Sequence, residues 1–472
     1  MTPQGGLVVR FPLTPALSRG RGRIVGRWFD RLEDLDIWMV DGKSGRELLW
    51  RAPVRAHESC FPFLTLQPGN SFNAVTIRLT FPASSAFDWR QMANPRTVLC
   101  ITVYMKHFVL ALFLLATPVL AQPAFSPEVQ ADGRVTFRLF APKATEVRLN
   151  CEGVDSARMT NAGQGVWTFT TPPLEPDIYV YSFFADGLHL IDPANPFLKY
   201  NLLNTDSQVE VPGPKSLPWE INDVPRGELH RHFYRSAVAG DDRDYVVYTP
   251  PGYKPTARKR YPVLYLLHGY SDDATAWSAV GRANVILDNL IARGVARPMI
   301  VVMPLGYGDT AVLKGGWTPD KRDPAVWQRN VDNFGDSLRG EVMPQVEAEY
   351  RVATDRQSRA IAGLSMGGTE SLVVGLNHPE QFAWIGSFSA GGLTNYSARF
   401  PSLDAAAVAR VNLLWIACGR DDHLLAPNQQ FCDWLKAKDI PFTWIETPGV
   451  HSFRVWRRNL AAFAPLLFQA KR

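Results

Sequence analysis

Apolar and polar positions alternate along the chain from Val135. Val135, Phe137 and Leu139 fall on one side and Thr136 and Arg138 on the other. Val147, Leu149 and Cys151 repeat the pattern, then Trp167 and Phe169, then Tyr179, Tyr181 and Phe183. Turn signals separate the runs: Ala141-Pro142, Asn161-Ala-Gly163, Pro172-Pro173 and Asp186-Gly187. A period of two with regular breaks predicts a small antiparallel β-sandwich, placed at 122–212. Pro212-Gly-Pro214 and Pro218 then mark a linker over 213–228.

From Arg243 the pattern changes. Asp244–Thr249 ends at Pro250-Pro-Gly252, a strand and a turn. Val263–Leu267, Pro298–Met303, Ala360–Ala362, Val411–Ala417 and Phe442–Ile445 are short, nearly continuous apolar runs, as strands buried on both faces should be. Phe334, Leu338, Val342 and Val346 recur every four residues, the spacing of one helix face. Strands alternating with helices predict an α/β domain over 229–472, with a mostly parallel central sheet covered on both sides.

Ahead of these regions, residues 1–104 have no sustained period of 2 or 3.6 and are expected to be a spurious or disordered upstream extension. The alternative is a genuine extension followed by a buried apolar element. Met105 opens a different stretch. Lys106 and His107 are basic, Phe108–Ala116 is apolar, and Val119-Leu120-Ala121 offers small residues for cleavage. Residues 105–121 therefore read as a signal peptide, which predicts a secreted or periplasmic protein with no membrane attachment after cleavage. The apolar run is too short for a bilayer, which needs ~20 residues.

Composition narrows the class. The 472 residues are 46% hydrophobic and 20% charged, which excludes disorder over most of the length. The net charge of +5 is carried at the front: residues 1–121 hold 14 Lys and Arg against 8 Asp and Glu, and the rest hold 36 against 37. The body gives no electrostatic reason to expect nucleic acid. Five cysteines form no framework, and no CxxC pair is present. Cys151 falls in a strand pattern; Cys418 and Cys432 either pair or stay buried as free thiols.

One motif carries chemistry. Gly363-Leu-Ser365-Met-Gly367 follows the apolar Ala360-Ile-Ala362 and precedes the helical Thr369–Val374. That strand–turn–helix context is what a nucleophile elbow requires, which makes Ser365 the candidate nucleophile. A general base should follow in the chain. His378 and His423 read as a helix cap and a loop residue, and His451, after the break Thr447-Pro-Gly449, is the candidate. The orienting acid should leave the end of the Val411–Ala417 strand, and Asp421 and Asp422 both qualify. The backbone N–H groups of Met366 and of Tyr270, in Leu267-His-Gly-Tyr270, are candidate oxyanion donors. No HExxH or other ligand cluster appears, so neither a metal nor a cofactor is expected, and His268, His230 and His232 are given no ligand role.

The chain resembles known families in two places. Val135–Pro142, Tyr179–Gly187 and Asp192-Pro-Ala-Asn195 resemble the early-set immunoglobulin-like modules of glycogen-branching enzymes, which also precede many bacterial polysaccharide esterases. Such modules are often grouped with carbohydrate-binding modules. Trp167 and the tyrosines could serve a sugar site but are read first as packing. Val247–Tyr253, Tyr265–Gly269, Glu341–Glu347, Gly363–Gly368, Cys418–Asp422 and Gly449–Phe453 resemble the α/β-hydrolase esterases that include feruloyl, acetylxylan and enterochelin esterases and mycolyltransferases. The resemblance places the acid three residues after the strand-end glycine, on Asp422. It implies a secreted serine esterase acting on acyl esters of plant cell-wall polysaccharide, with Tyr270, Trp277 and Trp317 as candidate substrate contacts. An enterochelin-type siderophore esterase is the first alternative. A non-catalytic carbohydrate-binding protein on a hydrolase scaffold is the second.

Overall fold

The computed structural model describes residues 126–318 and 323–469 and, ahead of them, four strands. Those strands, Gly6–Pro12, Asp34–Asp41, Glu47–Pro53 and Phe72–Thr80, form one antiparallel sheet in the unit Met1–Ala121. They fall within 1–104, the stretch read from sequence as a spurious or disordered extension. Alternation is present inside single strands, as in Val75, Ile77 and Leu79, but is too interrupted to read as a sustained period. The signal-like stretch 105–121 lies outside the described residues.

The second unit, Gln122–Arg472, begins with two antiparallel sheets. One pairs Val135–Phe140 with Val166–Thr170; the other centres on Asp177–Ala185, between Val147–Cys151 and Asp206–Val211. Their alternating side chains meet in one core, with Phe137, Leu139 and Trp167 from the first sheet against Leu149, Tyr181, Phe183 and Val209 from the second. The indole N–H of Trp167 donates to Ala141 O (3.1 Å). Trp167, Tyr179 and Tyr181 are all buried, so they pack rather than face a ligand. The segment after this module is not a free tether. Trp219 is buried in the core of the next domain, and Asn289 Nδ2 donates to Pro218 O (2.7 Å) and Glu220 O (2.8 Å).

An eight-stranded sheet follows. Its strands are β1 (Glu228–Arg235), β2 (Asp242–Thr249), β3 (Val263–Leu267), β4 (Ile300–Pro304), β5 (Arg359–Leu364), β6 (Trp384–Phe388), β7 (Leu413–Gly419) and β8 (Thr443–Thr447). The order is β1-β2-β4-β3-β5-β6-β7-β8. β1 and β2 pair antiparallel, as do β2 and β4, and every other neighbour is parallel. Continuous apolar strands are explained by cover on both faces. Val263, Tyr265 and Leu267 join one core, and Leu264 and Leu266 join the other. Of the helices, α1 (Ala283–Ala292), α2 (Pro324–Ser337), α3 (Met366–Asn377), α4 (Leu425–Lys436) and α5 (Phe453–Phe463) matter below. Phe334, Leu338, Val342 and Val346 are buried together, as their spacing predicted. Among the described residues no helix is long and apolar enough to cross a membrane.

Module and sheet domain share buried charge. Asp177, at the start of a module strand, is ion-paired to Arg457 (2.7 Å) and Arg458 (2.8 Å) of α5. Arg457 is fully buried and also donates to Val280 O (2.8 Å) and Ile178 O (2.6 Å). The removal of two charges from water is tolerable only because the guanidinium and the carboxylate satisfy each other and nearby carbonyls.

Candidate active site

Ser365 sits between the end of β5 and the first residue of α3, with φ +52° and ψ −113°. A serine relaxes from such a backbone unless its neighbours over-determine it, since the strain costs about 1–3 kcal/mol. Here they do. Ser365 N–H donates to Phe388 O (2.8 Å), and Ser365 O accepts from the N–H groups of Gly391 (3.0 Å) and Thr369 (3.2 Å). The glycines leave the room this turn needs. A Cβ on Gly367 would lie 2.4 Å from His268 O, and one on Gly269 would lie 2.6 Å from Leu364 Cδ1.

The strained turn aims the hydroxyl at an imidazole contributed from near the end of the chain. His451 Nε2 is 3.0 Å from Ser365 Oγ, and His451 Nδ1 is 2.8 Å from Asp422 Oδ2. Between the two aspartates left open by spacing, Asp422 is buried and touches His451, whereas Asp421 is exposed. Burial alone would push the Asp422 carboxyl up. The His451 hydrogen bond and charge, the Leu424 N–H and the Ser389 hydroxyl outweigh it and hold the carboxyl below the usual aspartate range. The rings of Trp456 and His423 stand edge-on to His451, each at 4.8 Å. Sequence alone read His423 as an ordinary loop residue. Its Nδ1 lies 3.4 Å from Asp422 Oδ1, and with Asp422 and His451 it makes a cation-sized cluster that coincides with the serine–histidine site. His378 stays at the far end of α3, beside Arg339 and Glu380.

Met366 begins α3, where the first N–H groups lack helical partners. Tyr270 lies in the loop after β3, which touches Ser365: a Cβ on Gly269 would come within 3.3 Å of Ser365 Cβ. His268 ties this loop down. Its Nδ1–H donates to Gly269 O (2.8 Å) and its Nε2 accepts from Gly306 N–H (2.8 Å). Burial lowers its pKa, so the ring is a neutral tie, not a base. His230 and His232 are only half-exposed, not free surface residues: His232 bonds the Tyr350 hydroxyl (2.6 Å) and stacks on Tyr245.

Of the three aromatic substrate contacts expected, two line the cleft. Tyr270 and Trp317 stand edge to face at 5.7 Å, and Trp327, which sequence reading missed, lies 6.1 Å from Tyr270. Trp277 does not belong with them. It is 1% exposed, donates to Leu267 O (2.8 Å) and packs on Phe388 and Phe453, because the short helix Ala276–Ala279 beyond β3 turns its indole inward into the second core. The cleft has a volume of about 1040 Å³, with Ser365 and His451 in its lining and His189, Lys199 and Asp206 of the module on another wall. Cys151, Cys418 and Cys432 are all free and buried.

Residues 236–467 match the family described as "Putative esterase". The chain is 30% identical over 351 residues to an endo-1,4-beta-xylanase/feruloyl esterase of Xylanibacter ruminicola, covering 73% of this chain and 46% of that protein. It thus spans about half of that relative's length. Residues 236–472 are only half of this chain, so the likeness includes residues ahead of the esterase match. An acetyl esterase of Caldicellulosiruptor saccharolyticus is 23% identical over 232 residues, 42% of this chain and 80% of that one. The enterobactin esterase of Shigella flexneri shares the fold, with a TM-score of 0.55 at 19% identity, covering 73% of this chain and 96% of its own. The sheet order and the elbow agree with these likenesses: residues 236–467 match this esterase family, the chain is similar in sequence to a feruloyl and an acetyl esterase, and it shares its fold with an enterobactin esterase.

Proposed function

We propose that this chain is a serine carboxylic-ester hydrolase acting on acyl esters of plant cell-wall polysaccharide, of the feruloyl or acetyl xylan type. The contact that carries the reading is Ser365 Oγ at 3.0 Å from His451 Nε2, with Asp422 on the far ring nitrogen. Ser365 attacks the ester carbonyl while His451 takes its proton; Asp422 fixes the tautomer and stabilises the imidazolium. The Met366 and Tyr270 N–H groups receive the oxyanion. His451 then protonates the leaving alcohol, and the acyl-enzyme forms. Water, activated by the same ring, releases the acid. The substrate class is supported by the relatives named as feruloyl and acetyl esterases. Tyr270, Trp317 and Trp327 offer ring faces or edges to an aromatic acyl group or a sugar.

The two antiparallel sheets ahead of this domain are read as an immunoglobulin-like module, and residues 105–121 as an export signal. Secretion is tested by the mature N-terminus, expected at Gln122; a start well before it refutes the signal.

The catalytic reading is tested with methyl ferulate, p-nitrophenyl acetate and enterobactin as substrates, alongside labelling by a fluorophosphonate. Ser365→Ala should abolish labelling and lower turnover by at least about 10³-fold without loss of fold. Turnover of enterobactin alone refutes the polysaccharide assignment.

A further inference from the structure

The loop Gly269–Asp272 is held from two sides. On the inner side, His268 Nδ1–H donates to Gly269 O (2.8 Å) and the Tyr307 hydroxyl to Asp272 O (3.1 Å). On the outer side every named partner comes from the β module. Leu202 N–H donates to Ser271 O (2.7 Å). Asn201 Nδ2 donates to Ser271 Oγ (2.7 Å) and to Asp272 Oδ1 (3.2 Å), and Lys199 Nζ reaches the same Oδ1 (3.1 Å). Asn201 is itself fixed, since its Oδ1 accepts from Leu203 N–H (3.0 Å) and Asn204 N–H (3.2 Å).

This loop needs such a clamp. Ser271 is fully buried with φ +69°, a left-handed conformation that a serine leaves when its surroundings allow. Asp272 is 4% exposed, and a buried carboxylate without a cation draws in water or moves. Lys199, partly buried, supplies the cation, and Asn201 spans both residues. Gly269, at the head of the loop, lies against Ser365.

We propose that Asn201 and Lys199 are positioning residues for ester hydrolysis: they hold the loop after β3 so that the Tyr270 N–H meets the oxyanion formed at Ser365. The proposal rests on the assignment of Ser365 and Tyr270 above. It makes the module a part of the catalytic apparatus, not a detachable accessory.

The test uses the full chain with Asn201→Ala, Lys199→Met and Lys199→Arg. p-Nitrophenyl acetate is the substrate, because it is too small to bridge from Ser365 to the module wall. Loss of one well-placed oxyanion donor costs ~10²–10³-fold, and partial misplacement less. Asn201→Ala and Lys199→Met are expected to lower kcat by about 10–100-fold with KM within about twofold. Affinity for a trifluoromethyl ketone, whose serine adduct carries an oxyanion, should weaken by the same factor. Lys199→Arg should restore most of the kcat. If Asn201→Ala does not fold, Lys199→Met carries the test, because it removes only one partly buried ammonium.

Three results overturn the proposal: unchanged kcat, a raised KM at full kcat, or a lowered kcat with unchanged ketone affinity. Turnover surviving in Ser365→Ala would instead overturn the nucleophile assignment, independently of the clamp.

Discussion

Glu370 poses the sharpest question at the scale of single residues. It lies one turn into α3 from Ser365, is fully buried, and has one carboxyl oxygen without a hydrogen-bond partner. Its other oxygen faces Asn330 Nδ2 at 3.5 Å. Burial pushes its pKa well above the ordinary 4.5, so the folded protein keeps this proton to higher pH than the unfolded chain does. The unfolded chain ionises first as pH rises, so wild-type stability falls with rising pH between 4.5 and the folded value. Glutamine cannot ionise. Glu370→Gln should therefore gain stability relative to wild type by up to about 1.4 kcal/mol per pH unit in that window. The gain should vanish below about pH 4.5. Urea unfolding at pH 4, 6 and 8 checks this, and a difference independent of pH refutes it. The same scale shows what local sequence could and could not tell. Ser365 was legible because its glycines and strand–helix context are contiguous. Trp277 was misread because it was taken as a loop residue, whereas it lies in the one-turn helix Ala276–Ala279, and nothing in its neighbours says which way its indole will turn.

At the scale of elements, α5 joins chemistry to architecture. It starts two residues after His451 and carries Arg454, Arg457 and Arg458, all within 3.5 Å of Asp177 on the module. Arg454 also lies over the Tyr179 ring at 4.4 Å. Truncation of the shared carboxylate leaves the fully buried Arg457 uncompensated, and breaking a buried pair costs about 3–5 kcal/mol. Asp177→Ala is expected to lose that much in denaturant unfolding, and a change below 1 kcal/mol would show the pair to be dispensable. A substitution to Asn should cost less, because the Arg457 donors keep an acceptor. The strands were largely legible, since apolar runs bounded by Pro and Gly give element type directly. Their ends shifted by one or two residues, as for β7 at Leu413–Gly419, because hydrogen-bond register with neighbours sets the ends.

At the scale of the whole molecule, the module and the esterase domain share the cleft, the clamp on the loop after β3 and the charge cluster on α5. A chain shortened to begin at Glu228 loses the carboxylate opposite Arg457, the ammonium opposite Asp272 and Trp219 from the second core. It is expected to be insoluble or unfolded by circular dichroism and inactive on p-nitrophenyl acetate. A soluble, active fragment would show the esterase domain to be self-sufficient.

Sequence by itself determined the period-two module, the alternating strands and helices, and the strand–turn–helix elbow at Ser365. These depend on residues close together in the chain, where steric and hydrogen-bonding rules act directly. Spacing left Asp421 and Asp422 open, the family resemblance favoured Asp422, and the tertiary structure brings Asp422 against His451. Tertiary structure alone decided that Trp277 faces inward, that Trp327 joins the cleft, and that Asn201 and Lys199 grip the loop beside Ser365. Those outcomes depend on which distant surfaces come together, and a linear pattern carries no distance between residues 70 or more positions apart.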